Sequence, residues 1–194
     1  MKSYFNYKKY KWFYTASGKL VVGGKSAELN DLLLKEIKKT GKECYVMHTA
    51  DPGSPFCAIM APVKEATLKD LEECAIFTGC FSRAWKQQKR KTEIHIFKSS
   101  QLSKIKSMKP GTWSVNGDVN KMGVELKLAL AKQEGVYRAV PLKTVAKLER
   151  VVIICPGETD KTIMAESIIK KLKDKHVKKE EIIAALPAGG VEIC

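Results

Sequence analysis

Apolar positions along the chain follow two periods. Trp12–Ala16 and Leu20–Gly23 are β-like runs around Ser17-Gly18, which predicts a hairpin. The period then lengthens. Leu29, Leu32, Leu33 and Ile37 form the stripe of a helix that Ser26 can cap, with Glu28 and Asp31 in its first turn and Gly41 at its end. Cys44–Met47 and Phe56–Met60 read as short buried strands joined by the loop His48–Pro55. Thr67 and Asp70 make a capping box that opens a second helix, whose spacing persists through Leu68, Leu71, Ala75, Phe81, Ala84 and Trp85. Its last turn delivers Arg83, Lys86, Lys89 and Arg90. Thr92–Lys98, Gly111–Val115, Val124–Leu130 and Val136–Val140 follow as strands, with tight turns at Asn116-Gly117 and Glu134-Gly135. Beyond a connector at Leu142–Arg150 come a buried strand (Val151–Cys155), a helix from about Thr159 to Lys175, a short helix at Lys178–Leu186 and a Pro187–Gly190 turn. The pattern predicts an α+β fold: a mostly antiparallel sheet with two main helices packed against it in residues 1–141, and a small C-terminal β-α extension, 142–194, packed on that body.

Composition narrows the class. Hydrophobic residues are 44% of the 194, enough for a sizeable core and too many for a disordered chain. No apolar run reaches the roughly 18–20 residues that span a bilayer, and the basic, aromatic start is unlike a signal peptide. A soluble cytoplasmic protein without a membrane partner is expected. Six cysteines form no CxxC or CxC pair, which favours free buried thiols over a disulfide framework. Cys44 and His48 stand four apart with no second tight pair, so neither a metal nor a cofactor is expected.

Charge changes the picture most. Residues 1–27 hold six lysines and no acid, and residues 83–109 hold nine basic residues against Glu93; together they account for the whole net charge of +14. Two basic stretches on an otherwise neutral body are a polyanion footprint. The first also carries Tyr4, Phe5, Tyr7, Tyr10, Trp12, Phe13 and Tyr14. Rings interleaved with lysines suit unpaired nucleic acid, although strand alternation would bury every second ring. Lysine outnumbers arginine 31 to 4, pointing to phosphate attraction more than bidentate base reading.

Motifs for nucleotide chemistry are absent from the sequence: there is no GxGxxG and no GxxxxGK[ST]. Cys155–Asp160 is a strand–turn–helix junction whose acids favour capping over anion binding. The loop His48–Pro55 is the most unusual segment, with two prolines and a glycine fixing a path from which His48, Thr49, Asp51 and Ser54 project. It reads as a binding loop or a rigid turn, and least as a catalytic site, since no nucleophile elbow accompanies it. Alternation puts His95 and Phe97 opposite Ile94 and Ile96.

Trp12-Phe13, then Leu20–Lys25, then Glu28-Leu29-Asn30 at a helix head, resemble the start of the NFACT-R domain, the RNA-binding module of proteins in ribosome-associated quality control. The similarity continues through Tyr45-Val46, His48 entering a Gly53-containing loop, Phe81–Trp85 closing the long helix, and Gln101–Lys104. Val151–Gly157 and Leu186-Pro187 resemble the region after this domain in archaeal members. Pro52 stands where the family's loop has a second histidine, which suggests a divergent free-standing branch, one for which a link to RNA modification such as tRNA thiolation has been proposed. The other modules of full-length NFACT proteins have no counterpart in these residues. Recruitment of tRNA to a stalled large subunit and tail synthesis are therefore not expected of it.

The resulting expectation is an RNA-binding protein, more a binder than an enzyme, whose partner is tRNA, rRNA or another structured RNA, with the ribosome as a further partner. Lys8, Lys9, Lys11, Lys25, Lys86, Arg90, Lys98 and Lys104 are the candidates for phosphates. Trp12, His48, Thr49 and Ser54 are those for bases and riboses, Ser82 is a further RNA-binding candidate, and Arg83 is that for a directed, bidentate phosphate contact, with Trp85 as its packing platform. The alternatives are an RNA-modifying or sulfur-relay protein using Cys57 or Cys80, and an adaptor to a ribosomal protein surface. Sequence leaves the oligomeric state undetermined.

Overall fold

The computed structural model describes residues 6–145, 151–174 and 176–194. In chain order its elements are β1 (Lys11–Tyr14), β2 (Leu20–Gly23), α1 (Ala27–Lys39), β3 (Tyr45–Thr49), β4 (Cys57–Ile59), α2 (Leu68–Cys80), the one-turn α3 (Arg83–Lys86) and β5 (Lys91–Lys98). Then follow β6 (Leu102–Ser103), β7 (Ser114–Val115), β8 (Asn120–Glu125), β9 (Leu128–Gln133), β10 (Val136–Val140), β11 (Val152–Pro156), α4 (Lys161–Leu172), α5 (Lys179–Ala185) and β12 (Val191–Ile193). The class is α+β as expected, but among the described residues the strands form three sheets. A six-stranded sheet runs β1-β2-β4-β3-β5-β8, a four-stranded one β10-β9-β11-β12, and β6-β7 make a ribbon.

The large sheet is covered on both faces. Strand alternation sends Phe13, Val21, Met47, Ile59, Ile94 and Ile96 to the side of Cys74, Phe77 and Cys80 on α2. It sends Trp12, Val22, Val46, Ala58 and Phe97 to the side of Leu33, Leu34 and Ile37 on α1. Each such large side chain contributes on the order of 1.5–3 kcal/mol by leaving water. The hairpin pairs Phe13 with Val21 and Trp12 with Val22, and turns at Ser17-Gly18 as expected. Ser26 accepts from the Leu29 amide at 3.2 Å and caps α1. Asp160 does the same for α4 through the Thr162 amide at 2.7 Å.

Four expectations change. The second helix does not continue to Arg90. It stops at Cys80, where Ser82 Oγ donates to the Gly79 carbonyl (2.7 Å) and accepts from the Ala84 amide (3.1 Å), starting α3 instead. A serine offering the backbone an alternative partner outweighs the apolar spacing that continues through it. Val124–Leu130 is two strands, broken where the Leu126 amide bonds the Arg90 carbonyl at 2.9 Å, so β8 and β9 enter different sheets. Of Gly111–Val115 only Ser114 and Val115 pair as strand. Cys155 of β11 and Cys194, the residue after β12, form a disulfide, while Cys44, Cys57, Cys74 and Cys80 are free and buried. Within the predicted connector, Leu142–Val145 is a 3-10 turn, and its remainder lies outside the described residues.

β9 pairs with both β10 and β11, so residues on either side of position 142 share one sheet. The indole of Trp85, wholly buried, donates to the Gly190 carbonyl at 3.0 Å and ties α3 to the turn before β12.

Asp70 joins hairpin and helix. Its carboxylate accepts from Thr15 and Ser17 hydroxyls, each at 2.6 Å, and from the Thr67 amide and hydroxyl, each at 2.8 Å. Burial would raise this carboxyl, but those hydrogen bonds prevail and bring it to about 2. A depressed carboxyl stabilises the fold above the ordinary Asp range and loses that contribution as pH falls toward 2. Asp70→Ala is expected to lower stability by about 2–4 kcal/mol and to shrink the stability lost on acidification from pH 5 to 3. Urea unfolding at several pH values measures both.

Candidate nucleic-acid interface

Beside the head of α1, over His48 of β3 and His95 and Phe97 of β5, lies a groove of about 870 Å³. That size lies within the ~300–1,000 Å³ of small-molecule sites. Its floor holds His48, His95, Phe56 and Phe97; His48 and His95 are direct cross-strand partners. The 50–55 loop forms one side and Pro110–Trp113 another. Lys25 and Ser26 stand at the head of α1, and Lys11, Phe81 and Ala188 complete the lining. Among the described residues that line the groove there is no carboxylate.

The 49–54 loop is held by its own polar atoms. The Thr49 amide donates to Ser54 Oγ at 2.9 Å and the Thr49 hydroxyl donates to the Asp51 carbonyl at 2.6 Å. Both side chains are buried and occupied, so their hydroxyls shape the loop rather than face a ligand. Gly53 has φ +107°, a left-handed conformation suited to glycine, and a Cβ there would meet the Arg83 Cβ and Nε at 3.1 Å. Its carbonyl accepts from the Arg83 amide at 2.8 Å. That bond fixes the loop to α3 and sets Arg83, the first residue of the second basic stretch, behind it. Arg83 itself is exposed, and among the described residues no carboxylate pairs with it.

His48 Nδ1 lies 2.7 Å from the Thr49 carbonyl. A carbonyl only accepts, so Nδ1 carries the proton and Nε2 is an acceptor. Burial lowers the imidazole pKa and His95 adds to this, against the opposing Thr49 hydrogen bond; the ring is neutral at pH 7. It sits 4.7 Å from the Phe56 ring. The Lys11 ammonium rests 4.2 Å over the Phe81 ring. Burial, then the nearby Lys25, push its pKa down to about 8, with Lys161 and Arg138 acting in the same direction.

Of the sequence candidates, Lys11, Lys25, His48, Thr49 and Ser54 line the groove. Ser82 and Arg83 lie behind the loop with Lys89, and Lys86 is exposed beside Gly189. Lys9 is exposed, its ammonium 5.3 Å from the Tyr10 ring. Four others have carboxylate partners: Lys8 with Glu134 (3.4 Å), Arg90 with Glu192, Lys98 with Glu43 (3.6 Å) and Lys104 with Asp31 (2.9 Å). Lys104 is structural. Asp31 also accepts from the Gly111 amide (3.1 Å) and the Trp113 indole (2.8 Å), and so pins the far side of the groove to α1. Trp12, expected near an exposed stacking surface, is 1% exposed. It lies on the α1 face with the Arg138 guanidinium 4.1 Å over its ring, because its place in β1 alternates inward. Trp85 too is core; what touches Arg83 is Gly53.

Sequence reasoning did not assign Phe56, Phe81, Phe97 and Trp113 to the site. Alternation beside His95 signalled Phe97, whereas nothing local marked Trp113.

A cation-bearing, carboxylate-free groove with aromatic walls has the chemistry that suits a polyanionic strand. The model of the NFACT protein RNA-binding domain matches residues 9–117, and the chain belongs to that family. It is 30% identical over 197 aligned positions to the archaeal Rqc2 homolog aRqcH of Methanocaldococcus jannaschii, an alignment covering 96% of this chain and 29% of that protein. Thus the chain spans under a third of this relative's length. Among solved structures it is similar to the C-terminal part of the fibronectin/fibrinogen-binding protein of Streptococcus suis. There the TM-score is 0.53 and the identity 20%, over 60% of this chain and 45% of that one, which is a likeness of fold.

An anion at Lys11 draws a proton onto an amine that is half-deprotonated near pH 8. Binding of a uridine oligomer is therefore expected to weaken about tenfold between pH 7 and 9, where an ordinary lysine would still be charged. Lys11→Arg, always charged, should flatten that profile in fluorescence anisotropy titrations.

Proposed function

We propose that the groove binds RNA by taking in unpaired nucleotides, with Lys11 and Lys25 on phosphates and the floor of His48, Phe56 and Phe97 against bases or riboses. Arg83 and Lys86 extend the positive surface behind the loop. The observation that carries this reading is that Lys11 and Lys25 of the first basic stretch line a recess free of carboxylates, with Arg83 of the second held against the back of its loop. Family membership supports RNA binding, and the name of the archaeal relative supports a role in ribosome quality control; within that role we take the RNA to be tRNA or rRNA and the setting to be the cytoplasm.

A sulfur relay through Cys57 or Cys80 is disfavoured on physical grounds. Both thiols are fully buried; burial pushes Cys57 up to about 12 and Cys80 higher still, so neither supplies a thiolate at neutral pH.

Affinity for single-stranded RNA should fall with salt at a log–log slope of about −0.7 per phosphate contact. Lys25→Glu is expected to weaken binding at least fivefold and flatten the slope by about one contact. Lys98→Glu, at a residue already paired with Glu43, should do less. A salt-independent affinity would refute the reading.

A further inference from the structure

The six-stranded sheet has two outer strands, β1 and β8, and their outer edges are finished differently. At β1 the edge is occupied: the Gln133 side chain accepts from the Tyr14 amide at 2.7 Å and donates to the Tyr14 carbonyl at 2.9 Å. At β8 it is not. The Leu126 amide bonds the Arg90 carbonyl at 2.9 Å, in step with the pairing of Val124 with Thr92 and Met122 with Ile94. Hydrogen-bonded pairs alternate along an antiparallel ladder, so the even-numbered residues of β8 are the ones that bond β5. Lys121, Gly123 and Glu125 therefore turn their N–H and C=O groups away from the sheet, and among the described residues nothing pairs with them.

The space beside this edge is open as well. A Cβ at Gly123 would meet no atom within 4 Å. On the α2 face a recess of about 400 Å³ lies against Met122 and Val124, with Ile76 and Leu142 among its other walls. Met122, Ile76 and Leu142 are only half-buried.

An open edge of this kind is a template for another strand, and the charges on it select which. Lys121 and Glu125 share one face of β8 with Gly123 midway between them. Glu125 forms no ion pair among the described residues, and Lys121 reaches Glu93 at 3.5 Å. Laid antiparallel on a copy of itself about Gly123, the strand sets Lys121 against the partner's Glu125 and Glu125 against the partner's Lys121. Glycine then faces glycine, where no side chains collide, and Met122 meets the partner's Val124 over the apolar recess. Every outward N–H and C=O of the three residues finds a partner. A slip of two residues either way loses both ion pairs. A strand from an unrelated protein would have to reproduce this charge order, whereas a second copy supplies it in full.

We propose that β8 is a self-pairing edge, through which two copies of this chain join antiparallel about a twofold axis at Gly123 into one continuous sheet. Corresponding faces stay on the same side in such a pair. Lys121 lies on the face of its cross-strand partner His95, so both grooves open on one side of the dimer.

Sedimentation velocity over a range of concentrations tests this. The chain carries a net charge of +14, so the measurement is made at about 0.3 M salt, where charges more than ~6 Å apart are screened. The unmodified chain is expected to dimerise reversibly. Lys121→Glu and Glu125→Lys, both at exposed positions, should each weaken the dimer about tenfold, because two like-charge pairs replace two attractive ones. A general effect of net charge would instead move the two variants in opposite directions. Mixed in equal amounts, the two variants should pair as tightly as the unmodified chain, since each then meets the opposite charge at both positions. A chain that stays monomeric up to about 1 mM overturns the proposal and leaves the edge to another protein's strand or to none. A dimer indifferent to both substitutions, or one that the mixture fails to restore, overturns it too.

Discussion

The structure depends on a sheet that is buried on both faces. Because neighbouring residues on a strand point to opposite sides, both members of pairs such as Trp12-Phe13, Val21-Val22 and Val46-Met47 must be apolar, and each face needs its own helix. α2 covers one face, and the four-stranded sheet with α4 and α5 joins its core. α1 covers only part of the other. The groove lies on that face beside the head of α1, and its floor is two histidines and aromatic rings rather than aliphatic side chains.

Electrostatics then sorts the lysines. A charge of +14 is far too diffuse to define a site, and pairing removes several candidates from contention. Glu134 engages Lys8, Glu43 engages Lys98, Glu192 engages Arg90 and Asp31 engages Lys104. Exposed pairs of this kind add little stability, on the order of 0–1 kcal/mol, but they quench local potential where they occur. Within the groove, Lys11 and Lys25 are left in one another's field without a carboxylate partner among the described residues. An unpaired, half-buried ammonium is destabilised until an anion arrives, which is the condition a receptive binding site requires.

A third element is mechanical. The Gly53 carbonyl accepting the Arg83 amide joins the 49–54 loop to α3, and the Trp85 indole joins α3 to the turn at 187–190. Loop, helix and C-terminal segment thus make one wall, although they lie far apart in the chain. Asp31 does the equivalent on the opposite side by gathering Lys104, Gly111 and Trp113. Both walls are set by single hydrogen-bonding groups whose partners are remote in sequence.

Local chemistry was legible from the residues: the Ser17-Gly18 hairpin, the Ser26 cap, the Thr67–Asp70 capping box, the Asp160 cap and the opposite facing of His95 and Ile94 all follow from short-range geometry. The break at Ser82 was missed because apolar spacing continues across it, and the separation of β8 from β9 because a run of strand-forming residues does not reveal which sheet each half will join. The inward turn of Trp12, the pairing of Cys155 with Cys194 and the capture of Lys104 by Asp31 each depend on a partner tens of residues away. Charge and aromatic content, by themselves, determined the kind of ligand this chain can attract. Only the tertiary structure decided which of those charges remain unpaired and which rings remain uncovered, because burial and pairing are properties of distance in space and the sequence specifies distance only along the chain.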